Sequence, residues 1–459
     1  MLGNKQKKIK QSIGVVLLFL TSLVACKTNL QPKTIPLPTL TPVPTPMQDV
    51  LYVNEEQELG SISPYIFGSA YGPWVNIPPD FMSDATNSGV RYLRFPGGEW
   101  GDEHDLRDYH IDRFIALTKQ MGAEPQINIR LPGGSPESAA ELVRYCNINN
   151  NYNIRYWAIG NEPDLYTEAT TTVHEDYDTI QYNREWREIA EAMLAVDPEI
   201  ILLGPGTSQF TGNPETDPRD NAGRDWVREF LLANGDLVDI VAVHRYPFPT
   251  SMASPSRTID DLRFNSREWD TIIPNLRALI RETLGRDLPV AITEVNSDWS
   301  HAIGGEATPD SFYNAIWWGD VLGRMIQQKV EITAHFILQS KTGQGGWGLL
   351  GKYEIRPTYY VYQMYKHFGD ILLYSSSDDP DLSIYASRRE DGALTIMIIN
   401  LSPEEKSKPL RFENMKSTTM AEVWLFDIDH LAERVGEKPL SNEVELILPP
   451  QSISLYIIP

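Results

Sequence analysis

Between residues 64 and 368 the chain alternates two kinds of apolar pattern. Short runs in which almost every residue is apolar or β-branched, such as Ile240-Val241-Ala242-Val243 and Val290-Ala291-Ile292-Thr293, read as strands covered on both faces. Between them lie longer stretches with apolar residues three and four apart, which read as helices burying one face. The strand candidates are Ile66–Tyr71, Tyr92–Phe95, Pro125–Arg130, Ile154–Ile159, Ile200–Gly204, Ile240–His244, Val290–Glu294 and Ile332–Leu338. The helix candidates include Asp112–Met121, Ser138–Cys146, Tyr182–Val196, Asp225–Ala233, Ile273–Leu284 and Asp310–Gln327. Strands that alternate with helices pair in parallel, and eight of them predict an α/β fold, a (β/α)8 TIM barrel. An open doubly wound sheet competes, but it carries a Gly-rich phosphate turn that is missing here.

After Gly369 the period changes. Leu382–Ala386, Ala393–Asn400, Ala421–Asp427, Val444–Leu448 and Ser452–Ile458 are short alternating segments bounded by turn residues, which predicts a C-terminal all-β sandwich domain over 369–459. Residues 49–60 are a candidate extra strand of it, and 49–368 hold the barrel.

The first residues differ from both regions. Lys5, Lys7, Lys8 and Lys10 precede an apolar stretch from Ile13 to Ala25, the form of a secretory signal and short for a membrane span. Leu23-Val24-Ala25-Cys26 is similar to a bacterial lipobox, so residues 1–26 are expected to be a lipoprotein signal with Cys26 as the lipidated residue. Residues 27–48 are dominated by Pro and Thr and read as an extended linker. The expectation is an exported protein, anchored by lipid to the bacterial cell envelope and facing outward or into the periplasm, whose only membrane contact is that anchor. The one other cysteine, Cys146, sits in an amphipathic run and is expected to pack in the core without chemistry.

Formal net charge is −22, and −26 once the four leader lysines are removed. Such a balance disfavours nucleic acid and other polyanions as partners.

Candidate chemistry sits at strand ends. The run Ile154–Ile159 leads into Gly160-Asn161-Glu162-Pro163, and Val290–Thr293 leads into Glu294. Alternation along a strand would put Val290, Ile292 and Glu294 on one face, with Glu294 at the C-terminal rim. Pro163 steers Glu162 away from helical geometry and ends its strand. Two carboxyls facing one another across a barrel mouth are what glycoside hydrolysis by double displacement requires: a protonated one to assist the leaving oxygen and an ionised one to attack the anomeric carbon. Glu162 takes the first role and Glu294 the second.

Arg94, at the end of its strand in Leu93-Arg94-Phe95-Pro96-Gly97-Gly98, is the candidate cation that keeps Glu294 ionised. His244 and Tyr246 are candidates to hydrogen-bond the nucleophile or a sugar hydroxyl, and the Asn161 amide to bond a hydroxyl beside the reacting carbon. Sugar faces pack on aromatic rings, and the predicted rim loops hold Tyr71, Trp74, Trp100, Tyr166, Trp299 and Trp347, with Trp347 the foremost. Asp217–Asp225 collects oxygen ligands without EF-hand spacing and reads as a solvated turn. Zinc motifs and phosphate loops are missing from the sequence, so neither metal nor cofactor is expected.

On these motifs the chain resembles the clan A glycoside hydrolases over roughly residues 64–368: Arg94 within LRFPGG, Asn161 and Glu162 within GNEP, the His244 and Tyr246 pair, and Glu294 within ITEVN. The resemblance implies a barrel with its acid/base after strand four and its nucleophile after strand seven. LRFPGG looks like families 51 and 44, GNEPDLY like families 44 and 79, and the trailing sandwich like the one accompanying families 39, 44, 51 and 79. An oligo- or polysaccharide of plant or microbial origin is the implied substrate, with arabinofuranosidase-, xylanase/endoglucanase- or glucuronidase-like action. A non-catalytic carbohydrate-binding lipoprotein and a transglycosylase are the alternatives.

Overall fold

The structure is a computed structural model that describes residues 46–167, 176–248 and 257–459. Cys26, the leader and nearly all of the Pro/Thr-rich segment lie outside them. Among the described residues no helix is long and apolar enough to cross a membrane.

The first described strand, β1 (Leu51–Ser61), belongs to the C-terminal sheet. The chain then builds a closed barrel of eight strands: β2 (Gly68–Ala70), β3 (Tyr92–Phe95), β4 (Glu124–Ile129), β5 (Tyr156–Ile159), β6 (Ile201–Thr207), β7 (Ile240–Arg245), β8 (Val290–Val295) and β9 (Ile332–His335). Neighbours pair in parallel all the way round, and β9 closes onto β2. All eight predicted strands are present, trimmed or extended at their ends.

Outer helices cover them: α1 (Met82–Asn87), α2 (Asp108–Met121), α3 (Pro136–Val143), α4 (Thr179–Val196), α5 (Trp226–Asn234), α6 (Trp269–Leu284), α7 (Phe312–Gln327) and α8 (Pro357–Tyr365). Several start on a side chain that satisfies a free backbone N–H. The Ser135, Asp178, Asp225 and Ser311 side chains accept from the backbone N–H of the third residue of α3, α4, α5 and α7. Cys146 is fully buried beyond α3, and burial pushes its thiol up to about 12, which makes it inert packing.

Side chains split by face. Tyr92, Tyr156, Leu203, Ile240, Ala242, Ala291 and Ile332 cluster inside the barrel, whereas Val241, Val243, Val290 and Ile292 pack outward under the helices. The expectation that Val290, Ile292 and Glu294 share a face is therefore wrong. Partners across β7 and β8 run Val243 to Ile292 and then His244 to Glu294, so Thr293 is an extra residue. This bulge returns Glu294 to the inward face that Ala291 occupies.

The C-terminal domain adds β10 (Ile371–Ser376), β11 (Leu382–Arg388), β12 (Leu394–Asn400), β13 (Lys406–Phe412), β14 (Thr419–Phe426), β15 (Leu431–Leu440), β16 (Glu443–Leu448) and β17 (Ser452–Ile458). Their order is β15-β14-β17-β12-β11-β10-β1-β13-β16. Leu440 on β15 and Leu446 and Leu448 on β16 stand at opposite ends of that order, yet all three belong to one apolar core with Leu51, Val53, Ile384 and Ile398. The sheet thus wraps onto itself, which is how a sandwich buries an inner face. Three strands, β10, β13 and β15, escape the period-two reading: β10 is buried on both faces, and β13 and β15 intersperse charged residues among apolar ones.

The barrel meets the sheet at α7, which is buried at every residue from Tyr313 to Gly323. A helix that is apolar all round is one enclosed on all sides. Two glycines one turn apart set the approach. A Cβ on Gly319 would fall 2.6 Å from the end of Ile453, and one on Gly323 only 2.2 Å from the Tyr385 ring. Tyr385 has no freedom to retreat, because its hydroxyl donates to Asp320, which is itself paired with Arg324. Gly323→Ala is expected to lower stability by about 2–3 kcal/mol through overpacking, despite its better helix propensity. Chemical denaturation monitored by tryptophan fluorescence tests this, and Gly319→Ala, which meets only a flexible side-chain tip, should lose less.

Candidate active site

The C-terminal ends of the barrel strands bring Arg94, Asn161, Glu162, His244, Tyr246 and Glu294 into hydrogen-bonded contact, although nearly two hundred residues separate the first from the last.

Glu294 is held from three sides. Arg94 donates to its Oε2 at 2.5 Å, the Gly98 backbone N–H to the same oxygen at 3.2 Å, and the Tyr246 hydroxyl to Oε1 at 2.7 Å. Burial by itself raises this carboxyl, but the Arg94 charge and these hydrogen bonds outweigh it and leave Glu294 below the ordinary glutamate value. Arg94, itself 2 % exposed, also donates to Asn161 Oδ1 at 2.5 Å. One guanidinium therefore spans strands β3, β5 and β8. Its planar fork suits that task, which a lysine would not fill.

Glu162 lies in the opposite environment. The β5 ladder ends at Ile159, and Glu162 takes a left-handed conformation, φ 50° and ψ 57°, an unusual state for a residue that carries a Cβ. Pro163 removes the right-handed alternative, and the Glu162 N–H is tied to the Gly206 carbonyl at 2.9 Å. Gly206 is the extra residue of a second bulge, since β6 pairs Pro205 with Ala242 and then Thr207 with Val243. Its φ of 71° is one that glycine adopts without strain. Burial first, and the charge of Glu294 second, push the Glu162 carboxyl far above the normal range, to about 8.

His244 Nδ1 meets Glu162 Oε1 at 2.8 Å. Burial drives this imidazole down to about 3, so it is neutral at physiological pH. The sequence left open whether His244 or Tyr246 contacts Glu294. The structure gives Glu294 to Tyr246 and Glu162 to His244.

Asn161 Nδ2 is buried without a hydrogen-bond partner, while its Oδ1 is used by Arg94. A buried unpaired amide N–H2 is costly, which makes it a ready donor for an incoming oxygen. Glu99, reached through Gly98, borders the mouth, and desolvation followed by the charges of Glu162, Glu103 and Glu294 lifts its carboxyl to about 7.

The aromatic residues are mostly committed to the wall. Trp347 is 8 % exposed, donates from its indole N–H to the Asp298 carbonyl at 2.9 Å, and packs with Ala70, Tyr246 and Phe336. It braces Tyr246. Tyr71 and Tyr166 are buried with their hydroxyls bonded to the Val75 carbonyl and to Asp102, and Trp100 stacks on His104 at 4.7 Å. Trp299 is 47 % exposed and keeps an open face.

One oxygen of Glu162, one of Glu294 and a ring nitrogen of His244 all lie within 4.8 Å of one another, a set that can hold a metal ion. Arg94 argues against that use, because a divalent cation would have to share Glu294 with a guanidinium already in contact. Two carboxylates of the Asp217–Asp225 turn are likewise taken by protein donors: Asp217 accepts from the Thr211 and Gly212 backbone N–H groups, and Asp220 from the Thr179 hydroxyl and the Arg224 guanidinium.

Sequence reasoning missed Asp102 and Asp164. Burial raises Asp164 to about 7, and it accepts from the Ser208 N–H at 2.9 Å and from the Ser208 hydroxyl, which ties the turn after β5 to the end of β6. Neither carboxylate stands in a periodic run or at a strand end, so no local signal marked it.

The chain matches no family model. It is 25 % identical over 272 residues to the β-xylosidase of Geobacillus stearothermophilus, covering 55 % of this chain and 48 % of that protein. It is 24 % identical over 237 residues to an exo-α-(1→6)-L-arabinofuranosidase of Bifidobacterium longum, covering 43 % of each. The chain thus spans about half the length, or less, of these curated relatives. Among solved structures, CelM2, a bifunctional glucanase-xylanase from a metagenome library, superimposes with a TM-score of 0.70 at 18 % identity, covering 89 % of this chain and 98 % of its own. The α-L-arabinofuranosidase of Thermotoga maritima gives 0.69 at 18 %, covering 89 % and 99 %, and a family 44 xyloglucanase of Paenibacillus polymyxa 0.68 at 16 %, again 89 % and 99 %. The closed parallel barrel and the wrapped β-domain are the fold that these solved clan A glycoside hydrolases share, and the sequence likeness to arabinofuranosidases and a β-xylosidase agrees with it.

Proposed function

We propose that the protein is a retaining O-glycoside hydrolase in which Glu294 is the nucleophile and Glu162 the acid/base. One observation carries this reading: two carboxyls with oxygens within 4.8 Å of each other are driven in opposite directions, Glu162 up by burial and Glu294 down by Arg94 and Tyr246. Opposed environments assign an acid and an ionised partner. An oxygen-to-oxygen approach within 4.8 Å is nearer to the roughly 5–5.5 Å between carboxyls of direct attack than to the about 6.5–9.5 Å of an inverting enzyme.

In the first step a Glu294 oxygen bonds the anomeric carbon while Glu162 delivers its proton to the departing sugar oxygen. His244 occupies Glu162 Oε1, which leaves Oε2 for that proton. The ester removes the negative charge beside Glu162, so its carboxyl becomes easier to ionise and accepts a proton from the attacking water. Asn161 Nδ2 donates to a hydroxyl next to the reacting carbon. Tyr246 and Arg94 hold Glu294 in line and receive it back when the ester breaks.

The named relatives act on xylosyl and arabinosyl linkages or on glucans, and the proposed substrate is a pentose-bearing plant or microbial polysaccharide. Export with a lipid on Cys26, and attachment to the envelope through the Pro/Thr-rich segment, is part of the proposal and rests on the leader composition.

The test is reducing-sugar release by residues 49–459 from arabinan, arabinoxylan, xylan, mixed-linkage glucan and xyloglucan, with proton NMR of the first product. A product of retained anomeric configuration is expected. An inverted first product would overturn double displacement, and binding without release would favour a carbohydrate-binding protein.

A further inference from the structure

Asp102 is the most buried acid at the rim that the two-carboxyl chemistry does not use. It sits in the short helix Trp100–Glu103, four residues beyond Gly98, and is 2 % exposed. Gly101 beside it lets this turn press on Pro96, which a Cβ would meet at 2.9 Å. Its two oxygens reach three donors on two other segments. Oδ1 accepts the Leu131 N–H at 3.1 Å from the loop after β4. Oδ2 accepts the Asn161 N–H at 2.7 Å and the Tyr166 hydroxyl at 2.7 Å. Tyr166 closes the figure, since its hydroxyl oxygen also receives the Asn161 N–H at 3.2 Å.

We propose that Asp102 is a positioning residue: it pins the Gly160–Glu162 turn to the loops after β3 and β4, and so sets Asn161 and Glu162 against Glu294. The inference rests on the glycosidase reading and deepens it. Asn161 is fastened at both ends, its backbone by Asp102 and its side chain by Arg94. Glu162 is the next residue, and its left-handed backbone lies between the end of β5 and the short 3-10 turn Pro163–Leu165, where its carbonyl accepts the Leu165 N–H at 2.9 Å. Without the pin, the Asn161 N–H keeps the longer 3.2 Å contact with the Tyr166 hydroxyl, while its neighbours keep their backbone bonds, Gly160 to Ile129 and Glu162 to Gly206. Burial raises the Asp102 carboxyl to about 6 even with three donors upon it, so the group is retained in a place where an acid is costly. An asparagine has the same shape but a single acceptor oxygen, so it cannot serve Leu131 and Asn161 together.

The experiment compares wild type, Asp102→Asn and Tyr166→Phe on an oligosaccharide, whose leaving group needs a proton, and on a dinitrophenyl glycoside, whose leaving group does not. For Asp102→Asn, kcat/KM on the oligosaccharide should fall about 10²-fold, the scale of an ångström-sized misplacement of a catalytic group. The loss on the dinitrophenyl glycoside should be clearly smaller. Tyr166→Phe should move the same way by less, and the double variant should be no worse than Asp102→Asn alone, because both act through one contact. Unchanged kcat/KM overturns the proposal, and so does an equal loss on both substrates, which marks a merely structural role. A crystal structure of Asp102→Asn separates this from the wider reading. If wild type turns over no glycan, the glycosidase assignment fails, and the pin then stands or falls on whether Asn161 and Glu162 have moved.

Discussion

Replacing Glu294 by glutamine should reduce turnover by roughly 10⁴- to 10⁶-fold, the scale on which covalent catalysis loses rate when its nucleophile is removed. The amide is isosteric, but it cannot form the glycosyl ester. It also offers Arg94 and Tyr246 one acceptor oxygen where the carboxylate offered two. Breaking a buried ion pair costs about 3–5 kcal/mol, and with the Asn161 contact of Arg94 retained the loss should lie at the lower end. A thermal melt beside the kinetics separates this cost from the chemical one. Glu294→Ala supplies a further check, because it opens space for azide. Azide then attacks the anomeric carbon directly and yields a glycosyl azide of inverted configuration. A Glu294→Gln protein that still turns over would remove the nucleophile assignment.

Removing the acid should look different. Glu162→Ala is expected to lower kcat/KM on natural glycans by about 10²- to 10⁴-fold, the usual contribution of a general acid, and to spare substrates whose leaving group needs no proton. Azide should rescue this variant with retained configuration, since it intercepts the glycosyl ester on Glu294 and inverts the carbon a second time. The pH profile carries the same information. Wild type requires Glu162 protonated and Glu294 ionised. As pH rises through about 8, Glu162 loses its proton and activity falls. As pH drops below the ordinary glutamate range, Glu294 is neutralised and activity falls again. In Glu162→Ala the alkaline limb should vanish while the acid limb stays. An alkaline limb unchanged by the substitution would assign it to another group, and Glu99, raised to about 7 at the same mouth, would be the first to examine.

The two halves of the site were unequally legible. Arg94, Asn161, Glu162 and Glu294 stood out because each ends a recognisable apolar run, and strand ends on a parallel barrel converge at one rim. The division of labour between His244 and Tyr246 was not legible, since the two stand only two positions apart at the end of β7, and only the folded rim gives one to each carboxyl. The setting of Trp347 was not legible either: a tryptophan among glycines after β9 is expected to pack on a sugar, and the fold sets its ring in the wall against Phe336.

What the sequence by itself determined is the barrel, its eight strands, the trailing β-domain and the placement of two glutamates at strand ends. These follow from periodicity and turn chemistry, which act over a few neighbouring residues. Only the tertiary structure decided how those glutamates are aimed and charged. Glu294 turns inward because Thr293 is one residue too many against β7, and Glu162 is held by a carbonyl on the bulge of β6. Asp102 reaches Asn161 across 59 positions, and Arg94 reaches Glu294 across 200. Such contacts depend on register and burial, and a local pattern carries no record of which distant group will supply the charge or the missing hydrogen bond.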